Sequence, residues 1–458
     1  MELDEKRLHH ILESTCYRPD KKSTIINIFD NARKKKGLEL EEVGFLVNLN
    51  DKELTDELFD IASKIKFEIY GERLVFFAPL YISDFCINDC KYCNFHAQNK
   101  DLVRRKLTLD EIEEQTKYLI NMGHKRILLE CGEDPVNNTI DYVIDAIERI
   151  YATKTPKGNI RRINVNIAAT SVENYRKLKQ AKIGTYQLFQ ETYHRETFES
   201  LHKYPKKDYK RQITAHERAF EAGLDDVGLG VLLGLYDWRF EVISLVAHGK
   251  YLDKEFGVGP HTISVPRFCP APTVTYKPAY PVSDDDFLKL IAILRLAVPY
   301  TGLIISTRET PQIRKIAFKI GISQASASSV TVVGGYSENN LGYQPQFEIH
   351  DERRLDEVID DILGDRFLPS FCTACYRGGR TGKRFMRLAK PGEIYNFCRP
   401  NGILTFAEYL EDFAVNGLYK NGYEVINHYL NQIDNEAIKT KTIFYLEKIR
   451  QGKRDLHF

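Results

Sequence analysis

The sequence is poor in what a membrane protein, a secreted disulfide scaffold or a nucleic-acid binder would carry. No apolar run approaches the roughly 20 residues needed to cross a bilayer. Lysine and arginine (65) almost cancel aspartate and glutamate (64) over 458 residues, so no field of one sign argues for a nucleic acid or a membrane surface as partner. The opening stretch "MELDEKRLHHILES" is charged and helix-like. It has neither the apolar centre of a signal peptide nor the acid-poor bias of a transit peptide, and a cytoplasmic location is expected. The single tryptophan, Trp238, reads as packing, and no repeat or low-complexity linker interrupts the chain. Cysteine is present, but its odd count of nine, its clustering and the lack of an export signal argue against a disulfide framework. Clustered thiols in a reducing compartment point to metal instead.

From about residue 73 short β-rich runs alternate with amphipathic helices. The candidate strands are "RLVFFAPL", "RILLE", "INVNI", "TYQLF", "DVGLGVL", "HTISV", "GLIIS" and, blurred by small residues, a stretch near "GISQASA". Helical punctuation lies between them. Thr108 and Glu111 are spaced as a capping box for a helix that stops at Gly123. Ile140, Val143, Ile144, Ile147 and Ile150 share one helix face, and a third helix starts at Ser171 with Val172, Tyr175 and Leu178 inward. Eight β/α units predict an α/β fold built as a parallel (βα)8 barrel of the TIM type. The expected layout is a helical extension over residues 1–70, the barrel over 71–338 and a helical C-terminal domain over 339–458.

Cys86, Cys90 and Cys93 form C-x3-C-x2-C directly after the first candidate strand, at the end of a barrel where chemistry is usually placed. Three thiolates leave one iron of a [4Fe–4S] cube open to a small molecule. A zinc site completed by His96 is the alternative. Cys372, Cys375 and Cys398 form a second trio, C-x2-C-x22-C, which again leaves one iron open; a zinc knuckle completed by His350 is its alternative. The residues Arg377, Arg380, Lys383, Arg384, Arg387, Lys390 and Arg399 around it are a solvated face, a counter-charge for a cluster or a docking surface. Cys16, Cys131 and Cys269 fit neither spacing and read as small apolar residues.

The loop "CINDCKYC" after the first strand resembles that of the radical S-adenosylmethionine (SAM) superfamily. The resemblance implies that the open iron chelates SAM, whose reductive cleavage gives a 5′-deoxyadenosyl radical, and that a reductant such as ferredoxin or flavodoxin is needed. It places Tyr92 beside the adenine and Glu133, in "CGEDP", at the SAM amino group, although Cys131 stands where the family has a first glycine. A loop carboxylate capping the next helix is the other reading of Glu133. Glu191 and Tyr193, at a strand end, line the SAM or substrate pocket or simply pack.

The stretches "QLFQETYHRETF", "AHERAFEAGLDDVGLGVLLGLYDWR", "GPHTISVPR" and "STRET" narrow the resemblance to the tyrosine lyases of this superfamily, from about residue 70 to the end. One branch serves thiamine biosynthesis and stops at dehydroglycine (2-iminoacetate). The other serves [FeFe]-hydrogenase maturation, cleaving L-tyrosine to p-cresol, carbon monoxide and cyanide and building an Fe(CO)(CN) precursor of the H-cluster. In both, Arg308, beside Ser306, holds the substrate carboxylate, a use that suits a guanidinium fork. An ion pair with Glu309 is its structural alternative. The second trio is the mark of the maturation branch. There the resemblance implies an auxiliary [4Fe–4S] cluster at Cys372, Cys375 and Cys398, with a labile fifth iron held by His261 and bridged by free L-cysteine. Other hydrogenase maturation proteins would then be partners. A lyase of the thiamine type and a non-catalytic iron–sulfur carrier or scaffold remain as alternatives. The two-cluster reading also needs an internal passage between the sites.

Overall fold

The runs rich in β-branched and aromatic residues become strands, and in the computed structural model, which describes residues 1–337 and 342–458, they form one sheet. Its strands are β1 (Arg73–Ser83), β2 (Arg126–Cys131), β3 (Arg162–Asn166), β4 (Tyr186–Gln187), β5 (Val227–Gly230), β6 (Thr262–Ser264), β7 (Gly302–Ile305) and β8 (Gln324–Ser326). All pair in parallel and in chain order, and β8 returns to β1 with Val75 opposite Gln324. That closure makes the expected barrel. A ninth strand, β9 (Leu368–Ser370), which the sequence reading did not contain, runs parallel to Arg73–Val75 at the start of β1.

The helix signals hold. Thr108 and Glu111 form the capping box of the helix Leu109–Asn121, and Gly123 follows at a φ of +105° that a side chain would resist. Ser171 caps Val172–Gln180, whose Tyr175 and Leu178 are buried. Val143, Ile147 and Ile150 are buried on Ile140–Ala152, while Ile140 and Ile144 stay half-buried at the edge of that face. Ahead of the barrel lie the helices Glu5–Ser14, Lys22–Arg33, Leu40–Val47 and Lys52–Tyr70. They are locked to it by Lys289, whose Nζ donates to the Val47 carbonyl at 3.1 Å, and by Lys66, which donates to the Phe318 carbonyl at 2.7 Å. Trp238 is buried as packing, with the Lys289 ammonium over its ring.

Beyond the barrel come Leu355–Gly364, Gly382–Ala389, Tyr395–Phe413, Asn416–Asn431 and Glu436–Arg450, all helical. The expected boundary at 338/339 lies outside the described residues. The chain from 342 to 351 crosses the C-terminal mouth of the barrel and is pinned at its end by a fully buried ion pair, Arg314 Nη1 to Asp351 Oδ2 at 2.6 Å. Asp351→Ala leaves that guanidinium buried and uncompensated. It is expected to cost about 3–5 kcal/mol, seen as a lower denaturation midpoint at an unchanged m-value.

Among the described residues no helix is long and apolar enough to cross a membrane.

Candidate functional site

The residues that follow the eight strands converge on a cavity of about 210 Å³ at the C-terminal end of the barrel. Cys86, Cys90 and Cys93 line it from the loop after β1, with Tyr92 among them. Glu130 and Glu133 come from the end of β2, Glu191 from beyond β4, and Ser306 and Arg308 from beyond β7. Of the first-site residues named from sequence, Tyr193 alone does not line this cavity. Its ring is fully buried in the barrel wall, with its hydroxyl 2.9 Å from His248 Nδ1. The cause is local. Glu191 has a φ of +69°, a conformation uncommon for a side-chain-bearing residue, and it breaks the in–out alternation beyond β4.

Several charged and polar groups on the cavity have identifiable partners. Lys206 Nζ meets Glu191 Oε1 at 2.6 Å. Burial opposes the lysine charge, but Glu191 and the Cys90 and Cys93 thiols outweigh it and raise the pKa. Glu133 does not cap the next helix, whose cap is Thr139. Its carboxylate is held by Arg211 and by Asn88 Nδ2 at 2.7 Å. Tyr92 donates its hydroxyl to His202 Nε2 at 2.7 Å, and His202 Nδ1–H donates to the Phe198 carbonyl at 2.7 Å. Burial lowers the His202 pKa to about 3, so the ring is neutral, as this pattern requires. Glu309 is taken by Arg267 at 3.0 Å, not by Arg308. Arg308 instead lays its guanidinium 3.3 Å over the Phe347 ring, and its peptide carbonyl accepts from His350 Nδ1 at 2.6 Å.

A second cavity opens at the opposite, N-terminal end of the barrel. Cys372, Cys375 and Cys398 line it together with His261, which immediately precedes β6. Cys372 follows β9, which is anchored on β1, and Cys398 lies on Tyr395–Phe413. Three arginines at or near strand starts, Arg73, Arg126 and Arg162, line the same space. The basic run noted in the sequence contributes mainly Arg380, which lies beside Cys375 and Cys398. Arg377 and Lys390 are drawn off to Asp455 and Asp253. Burial lowers the His261 pKa to about 4, against the pull of Asp226, whose Oδ2 lies 3.6 Å from Nδ1. A neutral imidazole keeps a lone pair for a metal.

Both trios suit iron–sulfur clusters by the chemistry of their donors. Burial pushes the Cys93 thiol up to about 11 and the Cys398 thiol up to about 12, and a coordinated metal is what turns such thiols into thiolates. Buried arginines around the second trio complement an anionic cluster. The zinc alternatives lose their fourth ligands. His96 does not line the first cavity with the three cysteines, and His350 sits at the mouth of the barrel, at the other end from the second trio.

The cavities are separated by little. Arg126 lines the second and Leu128 the first; Val75 and Phe77, and Gln324 and Ser326, divide in the same way. Phe77, Leu128 and Ile304 form a small apolar cluster of their own beneath the first cavity. Of the remaining cysteines, Cys131 lines the first cavity, Cys269 is buried and Cys16 is exposed, so Cys16 does not pack as a small apolar residue. Sequence reasoning passed over Lys206 and Arg211, although the basic and aromatic run "HKYPKKDYKR" was a visible signal. It also passed over Arg73, Arg126 and Arg162.

Known proteins resemble this chain in sequence and in fold. The family model described as "Radical SAM superfamily" matches residues 80–243, and "Biotin and Thiamin Synthesis associated domain" matches 264–365. The chain is 31% identical over 315 residues to 2-iminoacetate synthase of Salmonella typhimurium, covering 67% of this chain and 80% of that one. It is similar to the crystal structure of HydG, a maturase of the [FeFe]-hydrogenase, with a TM-score of 0.95, 49% identity and 99% of both chains covered. HydG from Carboxydothermus hydrogenoformans matches with a TM-score of 0.85 and 41% identity, over 96% of this chain and 97% of that chain.

Proposed function

The chain belongs to the HydG family of radical SAM enzymes, and we propose that it cleaves L-tyrosine to p-cresol, carbon monoxide and cyanide and builds an Fe(CO)(CN) precursor of the [FeFe]-hydrogenase H-cluster. The observation that carries this reading is the pair of three-cysteine centres at opposite ends of one barrel, the second completed by His261. A lyase that stopped at dehydroglycine would have no use for the second centre.

Cys86, Cys90 and Cys93 would hold a [4Fe–4S] cluster, which with SAM would supply a 5′-deoxyadenosyl radical at the first cavity. The chain's own groups do the rest there. Tyr92, fixed by His202, offers an aromatic wall for the adenine. Glu133 and the Glu191–Lys206 pair offer charge of both signs for the amino and carboxylate groups of SAM. Arg308 and Ser306 hold the tyrosine carboxylate, and Gln346 and Phe347 cover the mouth. At the other end Cys372, Cys375 and Cys398 would hold an auxiliary [4Fe–4S] cluster. His261 would hold a labile fifth iron, with free L-cysteine as a further ligand, and this iron would be consumed as part of the Fe(CO)(CN) product. The thin wall of Phe77, Leu128 and Ile304 is where small products would pass. A reductant such as ferredoxin or flavodoxin, other hydrogenase maturation proteins and a cytoplasmic location complete the proposal.

Iron content and infrared spectra during anaerobic turnover with tyrosine test it. About eight irons per chain or more, with Fe–CO and Fe–CN bands, is the expected result. About four irons and no such bands would overturn it, with p-cresol alone pointing to a dehydroglycine-forming lyase. A chain that cleaves no SAM when reduced would be a carrier.

A further inference from the structure

Three carboxylates line the first cavity, and two are spoken for: Glu191 by Lys206 and Glu133 by Arg211. The third, Glu130, makes no ion pair among the described residues. Of the two basic side chains on the cavity, Lys206 is engaged and Arg308 makes no ion pair among the described residues. The cavity therefore presents, among the described residues, one cation and one carboxyl group without an ion-pair partner, the carboxyl beside the Tyr81 phenol, on β7 and β2 ends that face the same space. An α-amino acid carries its two charges on one carbon. With its carboxylate on Arg308 and Ser306, its nitrogen needs an acidic neighbour close by.

Abstraction of hydrogen from the tyrosine nitrogen also requires the free amine, whereas the amino acid arrives as the ammonium ion. We propose that Glu130 receives the tyrosine ammonium group and takes a proton from it, leaving the neutral amine that reacts. The step breaks one N–H bond heterolytically and forms one carboxyl O–H bond, with no change in oxidation state. It rests on the tyrosine-lyase reading above.

The local structure is built for such a group. Arg126, Leu128 and Glu130 alternate along the inner face of β2, and Glu130 is the register partner of Tyr81 on β1. Tyr81 in turn donates its hydroxyl to Gln346 Oε1 at 2.9 Å, so the phenol beside Glu130 is held in place. Burial raises the Glu130 pKa to about 7, with Tyr81 and Arg308 pulling it down and Glu191 pushing it up. The other titratable groups nearby are Cys131 beside it on β2 and Tyr336, whose hydroxyl donates to the Pro79 carbonyl at 2.7 Å. A carboxyl tuned close to neutrality exchanges a proton with an amine far more readily than an ordinary one.

The test compares wild type with Glu130→Gln and Glu130→Asp in the cluster-loaded enzyme with SAM. Glu130→Gln should lower p-cresol formation about 100-fold near neutral pH. Its residual rate should then climb about tenfold per pH unit as free amine becomes available, while the wild-type profile is flat above the carboxyl pKa. Glu130→Asp should recover part of the rate. Tyrosine should bind Glu130→Gln at least about tenfold more weakly, while 3-(4-hydroxyphenyl)propionate, which lacks the amino group, binds both proteins equally. Equal binding of that analogue also reports an intact pocket. A Glu130→Gln enzyme with the wild-type rate, pH profile and tyrosine affinity would overturn the proposal. If wild type itself makes no p-cresol from tyrosine, it is the tyrosine-lyase reading that has failed.

Discussion

Cys372→Ala and Cys375→Ala are expected to keep making p-cresol from tyrosine at close to the wild-type rate and to lose Fe–CO formation altogether. The two centres lie at opposite ends of the barrel and share no lining residue. Arg308 and the first trio sit at the strand ends, whereas Cys372 and Cys375 belong to the segment after β9 at the strand starts. Losing either thiolate would leave the proposed auxiliary cluster with two protein ligands, too few to keep it, and the proposed iron site would be lost with it. A stability penalty should accompany the loss. Arg73, Arg126 and Arg162 face this space, and without an anionic cluster their charges stand close together, offset among the described residues chiefly by Asp226, which pairs with Arg162 and also acts on Arg126. Both variants should therefore melt below the wild-type holoprotein, and added chloride or sulfate should recover part of the difference. Infrared spectra and p-cresol measured on one sample decide the matter. If both variants also stop cleaving tyrosine, the separation of the sites is wrong.

The legible part of this molecule was what repeats or clusters along the chain. All eight barrel strands stood out because each is an apolar or β-branched run between helix caps, and even the small-residue stretch near Gln324 took its place and closed the ring. The trios stood out by spacing, and His261 by its motif; the fold brings His261 to the second trio. What stayed hidden was convergence between distant segments. Arg73, Arg126 and Arg162 begin three different strands, and nothing in their own surroundings says that they meet around one pocket. The Lys206–Glu191 pair depends on a chain reversal after β4. Of the two readings of Tyr193, packing is the one its buried position fits, because the left-handed backbone at Glu191 turns the two side chains apart. β9 was missed because Leu-Pro-Ser is too short, and has proline at its centre, to read as a strand.

Arg308 should be the side chain whose loss hurts tyrosine cleavage most while leaving the cofactor site intact. Its guanidinium is unusual in being prepaid in geometry: the Phe347 ring lies 3.3 Å beneath it, His350 fixes its peptide carbonyl, and the neighbouring Glu309 is diverted to Arg267. It therefore waits in the cavity without an internal carboxylate to release before substrate binds, which is how preorganisation favours affinity. Arg308→Ala is expected to lower kcat/KM for tyrosine about 100-fold or more, on the order of 3 kcal/mol. Arg308→Lys keeps the charge but cannot offer two parallel N–H donors or stack on Phe347 in the same way, so it should recover only a small part. Tyrosine-independent cleavage of SAM should change little in either variant, because Tyr92, Glu133 and Glu191 occupy the other side of the cavity. The discriminating control is Phe347→Leu. It removes the stack but not the charge, and it should fall between wild type and Arg308→Lys. An Arg308→Ala enzyme with unchanged kcat/KM would mean that the substrate carboxylate is held elsewhere, and Lys206, the other basic side chain on the cavity, would then be the group to test.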